Sequence, residues 1–61
     1  MPNLPPLTTA EAADYLGVSQ RFIRRLVQER RIPFYRLGKL VRFDQRDLDA
    51  FLDNGRIEAS R

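Results

Sequence analysis

The chain has 61 residues, 43% hydrophobic and 31% charged, with no Cys and no His; that length allows one small domain with a thin core. The missing residue types exclude disulfides, thiol chemistry, imidazole bases and the usual zinc ligand sets, and the short apolar runs fall far below the ~20 residues of a membrane span. The net charge of +3 is concentrated in residues 20–42, where Arg21, Arg24, Arg25, Arg30, Arg31, Arg36, Lys39 and Arg42 face Glu29 alone, and the apolar share is too high for a disordered tail.

Residues 1–7 hold three of the four prolines and are expected to form an extended arm ending at Leu7, with no signal-peptide core. Thr8 stands three residues before Glu11, the spacing of a capping box, and Leu7 and Ala12 are placed as a hydrophobic staple. The predicted first helix runs from about Thr9 to Leu16 and stops at Gly17, a residue able to adopt the left-handed conformation of a helix end. Val18 follows as a buried turn residue, and Ser19 is a candidate cap for a second helix.

From Gln20 to about Arg30, the apolar residues Ile23, Leu26 and Val27 recur at helical spacing and share one face. Arg21, Arg25 and Gln28 centre the opposite face, with Gln20 and Arg24 beside them and Phe22 on the border. Pro33 is expected to end this helix. Phe34 to Phe43 then read as a β-hairpin around Gly38. A two-residue tip of Gly38 and Lys39 mixes Arg36 with Val41 on one face and Arg42 with Leu37 on the other. A three-residue tip that includes Leu40 pairs Leu37 with Val41 and Tyr35 with Phe43, leaving Arg36 and Arg42 together on a basic face. Cleaner segregation favours the three-residue tip.

Asp44 and Asp47 repeat the capping-box spacing before a third helix, whose stripe is Leu48, Phe51 and Leu52 and which Asn54-Gly55 ends. The domain is expected to span residues 8–54, with 55–61 as a frayed tail. The fold class is α+β and mostly helical: a small winged helix-turn-helix, made of a helix-turn-helix, a two-stranded hairpin wing and a C-terminal helix. Ala13 lies four residues before Gly17, and Ile23 six after it. A small residue on the first helix, a glycine in the turn and a branched residue on the second suit two closely crossing helices. An αα-hairpin with no nucleic-acid role has the same needs, but no reason to carry Arg21, Arg24 and Arg25 on its outer face. Ten of the eleven cations are Arg, whose planar fork suits phosphates and guanine edges.

The run from Leu7 to Ser19, continued by Gln20-Arg21-Phe22-Ile23-Arg24-Arg25-Leu26-Val27, resembles the opening of excisionase-type domains. The likeness extends through Ile32 to Lys39, Val41-Arg42-Phe43 and Asp47 to Leu52. These are winged helices related to the DNA-binding part of MerR-type regulators, and relatives serve as recombination directionality factors, transcription regulators and phage terminase subunits. The resemblance implies that Gln20, Arg21, Arg24, Arg25 and Gln28 face the major groove. It places Arg36, Lys39 and Arg42 on the backbone or minor groove. Leu40 and Val41 depart from the family, which often has a basic residue and Trp there. Candidate phosphate contacts are Ser19, Arg30 and Arg31. The implied partners are double-stranded DNA and an integrase. The protein is expected to be a monomer in solution that binds DNA cooperatively head to tail, in the cytoplasm with the nucleoid, of phage or prophage origin.

No enzyme activity, cofactor or metal is expected. Tyr15 and Tyr35 read as half-buried aromatics rather than recombinase nucleophiles, because no catalytic body fits this length. Ser19 reads as a cap. Asp44, Asp47, Asp49 and Asp53 lack the glycine and terminal Glu of an EF-hand loop. The competing functions are a small MerR-like transcription regulator, a terminase-like DNA binder, and an adaptor whose basic ribbon takes an acidic protein.

Overall fold

The computed structural model describes residues 6–57. The expected arm over residues 1–5 and tail over 58–61 lie outside them. Three helices and one hairpin follow in the order α1 (Thr9–Leu16), α2 (Gln20–Gln28), β1 (Tyr35–Leu37), β2 (Leu40–Arg42) and α3 (Gln45–Asn54). This is a winged helix-turn-helix of the α+β class.

The start of α1 is the expected capping box. The Glu11 amide donates to Thr8 Oγ1 at 3.1 Å and the Thr8 amide to Glu11 Oε1 at 2.9 Å, satisfying two donors that the first turn leaves without partners. Its end is a Schellman motif: the Val18 amide donates to the Ala13 carbonyl at 2.9 Å, and Gly17 sits at φ +70. The turn from Gly17 to Ser19 leads directly into α2, where Ser19 Oγ accepts from the Phe22 amide at 3.1 Å.

Helix α2 ends at Gln28, two residues before the expected end at about Arg30, and Pro33 is not what stops it. A second Schellman motif does: the Arg31 amide donates to the Leu26 carbonyl at 2.8 Å and the Arg30 amide to the Val27 carbonyl at 3.1 Å. That motif needs a left-handed residue, and Arg30 supplies it at φ +55.

The hairpin register corrects the sequence reading. Tyr35 pairs with Arg42, Arg36 with Val41 and Leu37 with Leu40, so the tip has two residues, Gly38 and Lys39. Gly38 has φ +66 and Lys39 does not share that sign, the pattern of a two-residue turn whose first position demands glycine. The three-residue alternative needs its left-handed residue at the last loop position, which is Leu40, a poor occupant. Phe34, Arg36, Val41 and Phe43 therefore share one face, while Tyr35, Leu37, Leu40 and Arg42 share the other. Polar segregation lost to turn geometry, and Tyr35, Leu37 and Leu40 remain about half exposed.

The core joins all parts: Ala12 and Ala13 from α1, Ile23 and Leu26 from α2, Ile32 from the connection, Phe43 beyond β2 and Leu48 from α3. Ala13 and Ile23 are both buried, as the spacing around Gly17 predicts. Val18, Val27 and Phe51 pack against this cluster partly buried, whereas Leu52 stays 49% exposed and is not a core residue. At the start of α3, Asp44 caps the Arg46 amide at 2.9 Å. The Asp47 amide bonds to the Asp44 backbone carbonyl, so the expected reciprocal box is replaced by an aspartate cap. Asp47 is a methylene shorter than the Glu that normally reaches back in such a box.

Candidate nucleic-acid interface

The outer face of α2 follows from its inner one. With Ile23 and Leu26 fully buried, the 100° step between residues turns Gln20, Arg21, Arg24, Arg25 and Gln28 outward, and all five are exposed. Phe22, on the border, is partly buried against the core. A shallow concavity of about 550 Å³ along this face is lined by Arg21, Arg24, Arg25 and Gln28, among others. An α-helix with its side chains measures about 10–12 Å across, the width of the B-DNA major groove.

The cations on this face are lightly held. Arg25 Nε lies 3.6 Å from Glu29, and Arg31 Nη1 lies 3.4 Å from the same carboxylate; Arg24 Nη2 donates to Gln20 Oε1 at 3.4 Å. Exposed pairs of this kind contribute about 0–1 kcal/mol and yield readily to a phosphate. Arg21, Arg30 and Lys39 make no side-chain hydrogen bond or ion pair among the described residues. The Ser19 oxygen accepts the cap bond, leaving its hydroxyl proton able to donate.

The wing cations do not form the single row expected. Arg36 lies on the inward ribbon face, its guanidinium 5.9 Å from the centre of the Phe34 ring. Arg42 projects from the opposite face and donates from Nη1 to the Val41 carbonyl at 2.8 Å. Lys39 occupies the tip. The register, fixed by Gly38, separates the two arginines. Arg30 and Arg31 stand beyond the end of α2, where they and Arg36 border an open cleft over Ile32, Pro33 and Phe34.

The Asp44 and Asp49 carboxylates make their bonds within the domain. The Asp44 carboxylate caps the helix and takes two bonds from the Arg46 guanidinium, at 3.0 and 3.3 Å. Those bonds hold its carboxyl below the usual range and push Arg46 up. Tyr15 and Tyr35 are 42% and 51% exposed, half-buried as expected, although neither belongs to the core cluster. The Tyr15 hydroxyl donates to Asp49 Oδ1, tying α1 to α3, and this bond raises the phenol above its ordinary value. The bond spans 34 positions in the chain, and no local spacing announces it. Likewise no motif announces the left-handed backbone of Arg30.

Residues 6–56 match the model of a family described as a helix-turn-helix domain, a DNA-binding type. No curated protein and no solved structure matches the chain. Among the described residues, no helix is long and apolar enough to cross a membrane.

Proposed function

Because the chain belongs to the helix-turn-helix domain family, we propose that it is a sequence-preferring binder of double-stranded DNA that reads the major groove with α2. The carrying observation is the opposition on that helix between buried Ile23 and Leu26 and the exposed Gln20, Arg21, Arg24, Arg25 and Gln28. Arg takes guanine O6 and N7 together, and Gln pairs with adenine. The capped α2 N-terminus and Ser19 approach the backbone, while Lys39, Arg36 and Arg42 hold the flanking phosphates or minor groove from the wing.

Within that role the finer proposal is a recombination directionality factor. It rests on the excisionase-like run of motifs from Leu7 to Leu52. One such module buries about 600–1,000 Å² on DNA, which limits its specificity, and several copies set head to tail on adjacent sites supply the rest. The bound array bends DNA so that an integrase favours excision. Gel shifts on single and tandem sites test the array, and equal affinity per site would rule it out. Excision assays with and without the protein, beside a promoter reporter, test the biological role. A reporter effect with unchanged excision replaces the directionality factor by a transcription regulator. Duplex affinity should fall with salt at a log–log slope of about −4 to −5 for ~4–6 neutralised phosphates, and an acidic protein bound in preference to duplex would leave the adaptor reading.

A further inference from the structure

The two Schellman motifs of this domain use different residues at the same structural position. After α1 the left-handed residue is Gly17, at φ +70; after α2 it is Arg30, at φ +55. A residue with a Cβ is disfavoured in this region, and glycine is the usual choice at a helix end. The Arg30 side chain returns no ion pair or hydrogen bond within the described domain. The capping bonds to Leu26 and Val27 hold this backbone, so it is the guanidinium alone that is left to find an external return.

That return is visible beside it. Arg30, Arg31 and Arg36 line one open cleft of about 560 Å³ whose floor is Ile32, Pro33 and Phe34. Arg36 is steadied over the Phe34 ring at 5.9 Å, and Arg31 is held only by an exposed contact at 3.4 Å with Glu29, a carboxylate that Arg25 shares. Three arginines on one cleft supply the forked donors that phosphate oxygens accept.

We propose that the cleft between the end of α2 and the base of the wing is a phosphate-binding site, and that the left-handed Arg30 is its positioning and binding residue. The proposal deepens the DNA-binding reading, on which the identity of the phosphate as a backbone phosphate rests. Arg31 turns from Glu29 to the phosphate on binding, which leaves Glu29 to Arg25.

The test compares Arg30→Gly and Arg30→Ala, both without the charge and differing in backbone preference, in the full chain. Arg30→Gly should melt about 4–8 °C above Arg30→Ala, because only glycine is free at this φ. Both should lose duplex affinity alike, several-fold, with the salt slope reduced by about 0.9, and Arg30→Lys should recover part of it. Inorganic pyrophosphate titrated into the free protein should shift the backbone amides of residues 30–36 saturably, and Arg30→Ala should abolish the shift. If duplex binding is absent or unaffected by Arg30→Ala while the pyrophosphate response holds, the cleft stands and takes a free phosphate. If Arg30→Ala leaves duplex affinity, salt slope and amide shifts as in the parent protein, the site is overturned, while loss of duplex binding in Arg25→Ala would still support the helix.

Discussion

Leu7 and Phe43 exchange both of their backbone hydrogen bonds, each at 2.8 Å, so the segment before α1 forms an isolated antiparallel bridge with the residue after β2. The pairing aims Phe43 into the centre of the domain, where it is fully buried with Ile23, Leu26 and Leu48. Phe43 thereby joins the end of the wing to the helix-turn-helix, with Phe34 and Val41 packing partly buried against the same cluster. Phe43→Ala should cost about 3–5 kcal/mol. Set against the ~5 kcal/mol at the low end of domain stabilities, that loss leaves about 0–2 kcal/mol, so the urea midpoint followed by circular dichroism at 25 °C should fall steeply, to about half unfolded without denaturant at the upper end of the loss. A midpoint close to that of the parent protein would show that the ring does not carry the junction.

The tip of the wing makes a sharper test of register. A Cβ at Gly38 meets nothing within 4 Å, so any cost of Gly38→Ala is conformational and comes from its φ of +66. That cost should be about 1 kcal/mol, with Gly38→Asn milder because Asn tolerates the left-handed region. If the wing instead used a three-residue tip, Leu40→Gly would stabilise it. Urea midpoints of the three variants decide between the turns, and Leu40→Gly is expected to destabilise the domain.

Stability should respond to pH at both ends of the range through α3. The folded Asp44 carboxyl is lowered by its bonds from Arg46, so its contribution is present above the unfolded carboxylate value and is lost as pH falls through the folded one. The Tyr15 phenol is raised, chiefly by its bond to Asp49. Its contribution is complete below the unfolded tyrosine value and disappears as pH rises through the folded value. Urea midpoints followed from pH 2 to 12 should bend down at both ends. Asp44→Asn should flatten the acid limb, and Tyr15→Phe should flatten the alkaline one; a Tyr15→Phe profile matching the parent would show that the bond to Asp49 is absent in solution.

Local chemistry made the helices legible. Thr8, Glu11, Gly17 and Ser19 each satisfy backbone groups within a few residues, and the amphipathic face of α2 needs only the helical period. The wing was read less well because its register depends on which residue tolerates a positive φ, and the pattern of Arg36, Leu37, Val41 and Arg42 pointed the other way. The stripe of α3 overstated Leu52 because a short helix at the edge of so small a core has room to bury Leu48 but not every apolar neighbour. The pairing of Leu7 with Phe43 and the bond from Tyr15 to Asp49 join residues more than 30 positions apart, where periodicity carries no information. Arg30 was visible as a cation; its backbone conformation was not.

The division of labour proposed between helix and wing has a measurable signature. Arg25 stands at the centre of the exposed face of α2 and is held only by a 3.6 Å contact with Glu29, so swinging to a base edge breaks a pair of little worth. Arg25→Ala should cost about 1–3 kcal/mol on the preferred duplex and much less on random duplex. Lys39 at the tip offers a point charge, and Lys39→Ala should weaken both duplexes alike while reducing the salt slope by about 1. Glu29→Gln releases Arg25 and Arg31 together, removes the lone carboxylate of residues 20–42, and should raise affinity on both duplexes with a steeper slope. Fluorescence anisotropy on a selected site and a scrambled one, at three salt concentrations, measures all three. Identical losses for Arg25→Ala and Lys39→Ala on both duplexes would mean that α2 contacts the backbone, and the reading of bases would have to be sought elsewhere in the domain.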